Sequence, residues 1–289
     1  MHSPGTGWHS PNMSASLRRV APSDILPGWI EVADRCFIGR HQPYDVNSAV
    51  IVGGEGVLVV DTRASLTQGR ELAEQVRRLS SLPVSVVVNT HSHFDHWFGN
   101  GAFPDVPLVG HESLLTDLAA ATERGKREYP ADDVASTDPV PVDTTFSSVW
   151  ASELGDRYVE VVHLGRGHTA GDVLVRVPDA DLVCAGDLIE SSGPPSYGVD
   201  CYPLEWGATL QQVSSLIGTG TVVVPGHGPP VDKAFVLEQR LDIVDVGEQI
   251  RALTHARVPV GDALAQGQWP FPAEGLHDAV RRGYEHTTD

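Results

Sequence analysis

The feature that most limits the fold is the segment Thr90-His91-Ser92-His93-Phe94-Asp95-His96, which follows the apolar run Val84-Ser85-Val86-Val87-Val88. The run reads as a buried strand, so four side chains able to bind a metal stand just beyond its end. A solvated polar patch is not expected there; polar residues at the ends of buried strands are where sites form. Residues 91 and 93 alternate along an extended backbone and can point the same way. A turn after Phe94 redirects Asp95 and His96 to a neighbouring point. The spacing therefore suits two adjacent metal ions better than one.

The chain has 289 residues, enough for one large domain or two modest ones. Its 41% hydrophobic and 20% charged residues are ordinary for a globular protein. No run of about 18 apolar residues occurs, which predicts no membrane span. Lys+Arg of 20 against Asp+Glu of 38 gives a formal charge of −18, which argues against nucleic acid and anionic membrane as partners. Histidines number 13 beside 3 cysteines (Cys36, Cys184 and Cys201) that form no CxxC. That excludes a disulfide scaffold and favours a reducing, cytoplasmic setting. Residues 1–22, rich in Pro, Gly and Ser, read as a disordered arm without the order of a secretion signal. His2 and His9 fall in it. The main domain is expected over residues 23–256, with 257–289 a helical extension packed on it.

Ile30 to Ile38, Val46 to Val52 and Gly56 to Val60 read as strands, with Gly53-Gly54-Glu55-Gly56 as a hairpin turn between the last two. Leu66 to Leu79 has helical spacing, as does His111 to Arg124. Residues 125–143 look like a surface linker. Tyr158 to Leu164, Val173 to Val177 and Asp181 to Ala185 are strand-like, and 190–205 form an irregular loop. Trp206 to Ile217 and Val231 to Ala256 read as helices with the strand Thr221 to Val224 between them, and Glu274 to Tyr284 as a last short helix. A weak repeat relates the halves. Val57 to Asp61 matches Asp181 to Asp187, and Val86 to His91 matches Val222 to His227. Each half has an apolar strand ending in Asp and a later one ending in His.

Further candidate donors sit at similar places. His168 lies in Gly165-Arg166-Gly167-His168-Thr169-Ala170-Gly171-Asp172, Asp187 follows Ala185-Gly186, and His227 lies between Gly226 and Gly228. Flanking glycines permit close backbone approach. Of the remaining histidines, His41 is a candidate for the rim of a site and His163 reads as packed or hydrogen-bonded. His111, His255, His277 and His286 read as surface residues.

His-x-His-x-Asp-His, then Gly-His-Thr, then Gly-Asp after an apolar strand, then Gly-His, in this order, resembles the metallo-β-lactamase-fold hydrolases. The resemblance spans roughly Val46 to Gly228. It implies an α/β fold, an αβ/βα four-layer sandwich of two mixed β-sheets flanked by helices, with a dinuclear site at one edge of the sheets. It assigns His91, His93 and His168 to one metal, Asp95, His96 and His227 to a second, and Asp187 to both. Asp61 matches the acidic residue that supports a ligand from behind. Asp95 is also a candidate proton shuttle. Imidazoles and carboxylates without thiolate suit two Zn²⁺ first, with Fe or Mn as alternatives. The expected chemistry is attack of a metal-bridging hydroxide on a carbonyl or phosphoryl centre. Two divalent ions against Asp95, Asp187 and hydroxide leave the inner site at about +1.

Asp187 bears on the substrate. Members that are dedicated β-lactamases generally carry Cys or Ser there, whereas glyoxalase II-like thioesterases and lactonases carry Asp. No cluster of Lys and Arg suited to glutathione follows His227. A small ester, thioester, lactone or amide is the expected substrate. True β-lactamase activity and a mononuclear iron, persulfide dioxygenase-like oxidoreductase are the alternatives. The loop Ser191 to Trp206 should rim the site, which makes Tyr197, Tyr202 and Trp206 candidate substrate contacts. Arg166 is a candidate partner for an anionic group. A small molecule is the expected partner, and the sequence leaves a homo-oligomer open.

Overall fold

Strands that are apolar on both faces need cover on both faces, and that requirement organises the chain. The computed structural model describes residues 26–116, 118–129 and 132–287; the expected arm over 1–22, with His2 and His9, lies outside them. The N-terminal half contributes β1 (Trp29–Ala33), β2 (Cys36–His41), β3 (Val46–Val52), β4 (Val57–Val60), β5 (Val84–Val88), β6 (Leu108–His111) and β7 (Thr144–Phe146), paired in that order. The C-terminal half contributes β8 (Val149–Glu153), β9 (Tyr158–Val162), β10 (Leu174–Val177), β11 (Leu182–Glu190) and β12 (Val222–His227), again in that order. A single residue pair, His227 with Val46, joins the two halves in the hydrogen-bonded ladder.

Side-chain alternation fills three layers. Leu58 and Val60 of β4, Val86 and Val88 of β5, Leu182 and Cys184 of β11, and Val222 and Val224 of β12 form one core between the sheets. Val57, Val59 and Val87 point the other way, onto α1 (Leu66–Leu79) through Leu72, Ala73 and Val76. Val183, Ala185 and Val223 pack outward on α6 (Trp206–Leu216) and α7 (Lys233–His255). The result is helix, sheet, sheet, helix, the four-layer sandwich that the resemblance implies. Each fully buried Val, Leu or Ile contributes about 1.5–3 kcal/mol, so the three layers are the main stabilising mass.

The shorter helices are α2 (Phe94–Trp97), α3 (Ser113–Thr116), α4 (Leu118–Glu128), α5 (Asp132–Ala135), α8 (Val260–Gln266) and α9 (His277–His286). Ala263 of α8 and Ala279 and Val280 of α9 join the core beneath α7. None of the described helices is long and apolar enough to cross a membrane.

The structure departs from the sequence reading in places. Ile30 to Ile38 is not one strand but the β1–β2 hairpin, in which Ala33 pairs with Cys36. Its turn residue Arg35 has φ +53° and is held by Asp34 and Asp156. His111 does not open a helix; it ends β6 and is buried. The expected linker over 125–143 contains the end of α4, all of α5 and the buried Val142. α7 starts at Lys233 because the Asp232 side chain accepts from the Phe235 amide, an N-cap.

Candidate metal centre

The strand ends that the sequence singles out meet at one edge of the sandwich. β5 runs parallel to β4, and β11 parallel to β12. Their C-terminal ends therefore open on the same side. His91 follows β5, α2 turns Asp95 and His96 inward, Asp187 lies in β11, and His227 ends β12. His168 comes from the loop before β10. Two donor groups form: His91, His93, His168 and Asp187, and Asp95, His96 and His227.

The donors are closely packed. Asp187 lies 3.3 Å from His168 Nε2, 3.7 Å from His91 Nε2, 3.2 Å from His96 Nε2 and 3.4 Å from His227 Nε2. Asp95 is 3.3 Å from His227 Nε2. Such closeness needs a backbone without side chains in the way. A Cβ on Gly226 would stand 1.8 Å from Asp187 Oδ1. Gly186, at φ +52°, kinks β11 just before Asp187, where the pairing with β12 shifts register.

Each imidazole is fixed from its outer nitrogen. His168 Nδ1 donates to Ser196 O at 2.9 Å and His227 Nδ1 to Tyr44 O at 2.8 Å. His96 Nδ1 donates to Asp61 Oδ2 at 2.7 Å, and His93 Nε2 faces Asp200 at 3.3 Å. Thr90 Oγ1 donates to Asp61 Oδ2 and can therefore accept from His91 Nδ1, 3.0 Å away. Carbonyl and carboxylate oxygens only accept, so these outer nitrogens carry the protons. The inner nitrogens then present lone pairs to one another, 2.8 Å apart for His93 and His168 and 3.4 Å for His96 and His227. That arrangement is repulsive unless positive charge lies between them. His91 Nε2 and Asp187 Oδ1 are moreover buried without a hydrogen-bond partner. A donor set of this kind fits divalent metal.

The titration behaviour has the same cause. Burial lowers His91 well below its ordinary value, helped by the neighbouring His96, and brings His168 down to about 4. Burial also opposes charge on His96 and His227, yet Asp187 and Asp95 outweigh it. His96 stands well above its ordinary value and His227 at about 10. Asp187, despite burial, is held well below the usual carboxylate range by His227 and His96. Without metal, the centre gathers protons instead.

Beyond the donors opens a cavity of about 350 Å³, whose far wall is α4 and the loop after β11. Most of that wall has no signal in the sequence. Tyr44, Phe94 and Tyr129 form a packed trio, with Phe94 and Tyr129 stacked at 4.2 Å and Tyr44 edge-on to both. Arg124 donates to Asp200 at 2.6 Å. Glu190, which is buried, lies close enough to Asp187 and His227 to form a third donor group with them. Burial and the charge of Asp187 push its pKa up to about 7. Glu190 has no flanking glycine or second donor beside it in the sequence, so only the fold reveals it.

The expected substrate contacts lie elsewhere. Trp206 is fully buried and donates from Nε1 to Leu188 O, while Tyr197 packs edge-on against it in the core behind the site. Arg166 pairs with Glu205 and lies over the Tyr202 ring, which stacks on His286. None of these four lines the cavity. His41 is not at the rim; it is buried edge-on against Trp29, and burial takes its pKa to about 3. His163 donates to Asp172 O and lies against His111, so His111 is packed and not at the surface.

A family model described as the metallo-beta-lactamase superfamily matches residues 41–255. The chain belongs to the metallo-β-lactamase superfamily. It is 26% identical over 211 residues to "Metallo-beta-lactamase type 2" of Bacillus cereus, covering 72% of this chain and 76% of that one. It is 25% identical over 221 residues to "Metallo-beta-lactamase IND-1" of Chryseobacterium indologenes, covering 75% and 86%. Solved structures agree on the fold. A metallo-beta-lactamase from Pontibacter korlensis superposes with a TM-score of 0.61 at 23% identity, over 75% of this chain and 97% of that one. The sec-alkylsulfatase Pisa1 from Pseudomonas sp. gives 0.72 at 15% identity, over 90% of this chain and 50% of that one. Membership of the metallo-β-lactamase superfamily, with the His/Asp cluster, supports a metal-dependent hydrolase.

Proposed function

We propose that the protein is a dinuclear hydrolase, with zinc as its metal, acting at the carbonyl centre of a small ester, thioester, lactone or amide. The observation that carries this reading is the pair of adjacent donor groups, with Asp187 of the first 3.2 Å from His96 and 3.4 Å from His227 of the second, and lone pairs facing inward at one end of a cavity. His91, His93 and His168 would hold one ion, Asp95, His96 and His227 the other, and Asp187 both. Imidazole and carboxylate donors without thiolate suit Zn²⁺. Two divalent ions supply Lewis acidity and an activated water.

The chain's own residues do the rest. Asp61 fixes His96 directly and His91 through Thr90, and the Ser196 and Tyr44 carbonyls fix His168 and His227. The Asp95 carboxylate also lines the cavity, where it can take a proton from the attacking water. A cysteine nucleophile is not at hand: Cys36, Cys184 and Cys201 are buried, and burial pushes the Cys36 thiol up to about 12.

Metal analysis of protein purified without added metal, followed by a panel of lactones, thioesters, β-lactams and phosphodiesters, tests this. The relatives named metallo-β-lactamase make β-lactams a necessary arm. Two zinc ions per chain and turnover of carbonyl substrates support the reading. One iron with oxygen consumption, or turnover confined to phosphodiesters, overturns it.

A further inference from the structure

The cavity has an unusual charge balance. Of its charged wall residues, Arg124 is bound to Asp200, Glu128 pairs with Arg127 at 3.5 Å, and Asp278 pairs with Arg281 at 3.0 Å. Asp95 and Asp187 belong to the donor groups. Glu190 falls only in the third group, outside the two sets assigned to the ions, and is the charge left over. Among the described residues no Lys or Arg lies within 4.0 Å of it, and Arg40, the cation that senses it, is engaged with Asp45. Counting Glu190, a site of two divalent ions with a bound hydroxide falls from about +1 to about 0.

Glu190 is also held still. The Gln239 side chain of α7 donates to its carbonyl at 2.6 Å and accepts from its amide at 3.1 Å. Ser192 donates to Oε1 from both its amide, at 2.9 Å, and its hydroxyl, at 2.6 Å. The other oxygen, Oε2, takes no hydrogen bond among the described residues. A carboxylate fixed at one oxygen and open at the other is preorganised for a donor from a ligand. The same cavity offers the aromatic trio, whose outermost ring, Tyr129, is 42% exposed. Ring faces favour apolar groups and cations alike.

We propose that the cavity takes a carbonyl compound bearing both an aromatic or alkyl group and a protonated amine, with Glu190 selecting for the cation and against an anionic substituent. This rests on the carbonyl hydrolase reading above. A cation beside Glu190 keeps its carboxylate ionised, whereas a substrate carboxylate would meet it as a like charge.

The test uses matched p-nitrophenyl esters of 3-phenylpropanoic acid and of its para-aminomethyl and para-carboxy derivatives, on the metal-loaded protein. The kcat/KM of the aminomethyl ester should exceed that of the carboxy ester by about tenfold or more. Glu190→Gln should bring the ratio to within about threefold. Equal or faster turnover of the carboxy ester by the wild type overturns the proposal, and that ratio decides even where Glu190→Gln fails to fold. Calorimetry with benzyltrimethylammonium, which cannot ligate a metal, gives an independent readout. Its Kd should rise about fivefold or more in Glu190→Gln, and an unchanged Kd overturns the proposal. Should no ester turn over while a phosphodiester does, the carbonyl reading falls and the calorimetry alone decides the cation site.

Discussion

Asp61 and Asp187 each follow an apolar run beside a parallel partner, Asp61 just past the end of β4 and Asp187 within β11 after the Gly186 bulge. β4 stops at Val60, and Asp61 turns away at φ +59° to bind the Thr90 amide and hydroxyl and His96 Nδ1. β11 bulges at Gly186 and runs on, so Asp187 projects over Gly226 into the midst of four imidazoles. The same residue type after matching apolar runs serves in one case as a bracket and in the other as a donor. The backbone around each carboxylate sets the difference. Asp61, in the left-handed region that Asp tolerates better than most residues, accepts only from the chain. Asp187 keeps one oxygen without a hydrogen bond among the described residues.

Substitution at the two positions should separate these roles. Asp187→Asn should lower zinc affinity by more than the about 100-fold that bounds the loss of an outer partner, read by chelator competition. Asp61→Asn should cost about 10–100-fold in the same measurement, because its amide cannot accept from all three donors. Equal losses would break the comparison. Acidity should act on the donor half of it. His227 is raised to about 10 from 6.5 in the metal-free site, so its protonation stabilises that form fully below 6.5 and is lost as pH rises through about 10. Metal must displace this proton, and zinc affinity should rise about tenfold per pH unit for each proton released between about pH 6 and pH 8. A flat profile would contradict the assignment. Asp200→Asn should cost less than about tenfold in zinc affinity, since Asp200 meets only His93, at 3.3 Å, and shares itself with Arg124. A loss exceeding that of Asp61→Asn would reverse the ranking of outer partners. Smallest of all, Arg166→Ala removes an exposed pair with Glu205 outside the cavity. Stability should move by less than about 1 kcal/mol in thermal denaturation, and turnover of anionic and of neutral substrates should each stay at the wild-type rate.

The sequence makes the donors legible because they cluster around punctuated strand ends, where His or Asp interrupts a Val run or sits between glycines. The layers are legible for a related reason: Val57 to Val60 and Val222 to Val224 are apolar at every position, which only a doubly covered strand requires. What escapes is set by contacts distant in sequence. Asp200 sits in a loop without periodicity and meets His93 across 107 positions. Arg124 on α4 looks like any solvated charge until the fold sets it beside Asp200. The β1–β2 turn is hidden because Asp34-Arg35 is no customary turn pair, and the bonds that hold Arg35 come from as far away as Asp156. Trp206 departs from expectation in the opposite sense. Its place beside the loop predicts a substrate contact, but an indole whose N–H finds the Leu188 carbonyl is satisfied in the interior.

The strand junction between the halves is thin, although they share the core between the sheets. Beyond the pair His227–Val46, the Asn47 side chain bridges it by donating to Pro225 O and Gly228 O. The donors straddle it, with His91, His93, Asp95 and His96 on one side and His168, Asp187 and His227 on the other. An ion gripped from both sides is a rivet, and rivet and joint obey one equilibrium: whatever tightens the grip on metal closes the seam by the same free energy. Stripping the metal should then loosen the molecule along that line first, with the amides of Val46, Asn47 and His227 exchanging with solvent well before those of the Val core on either side.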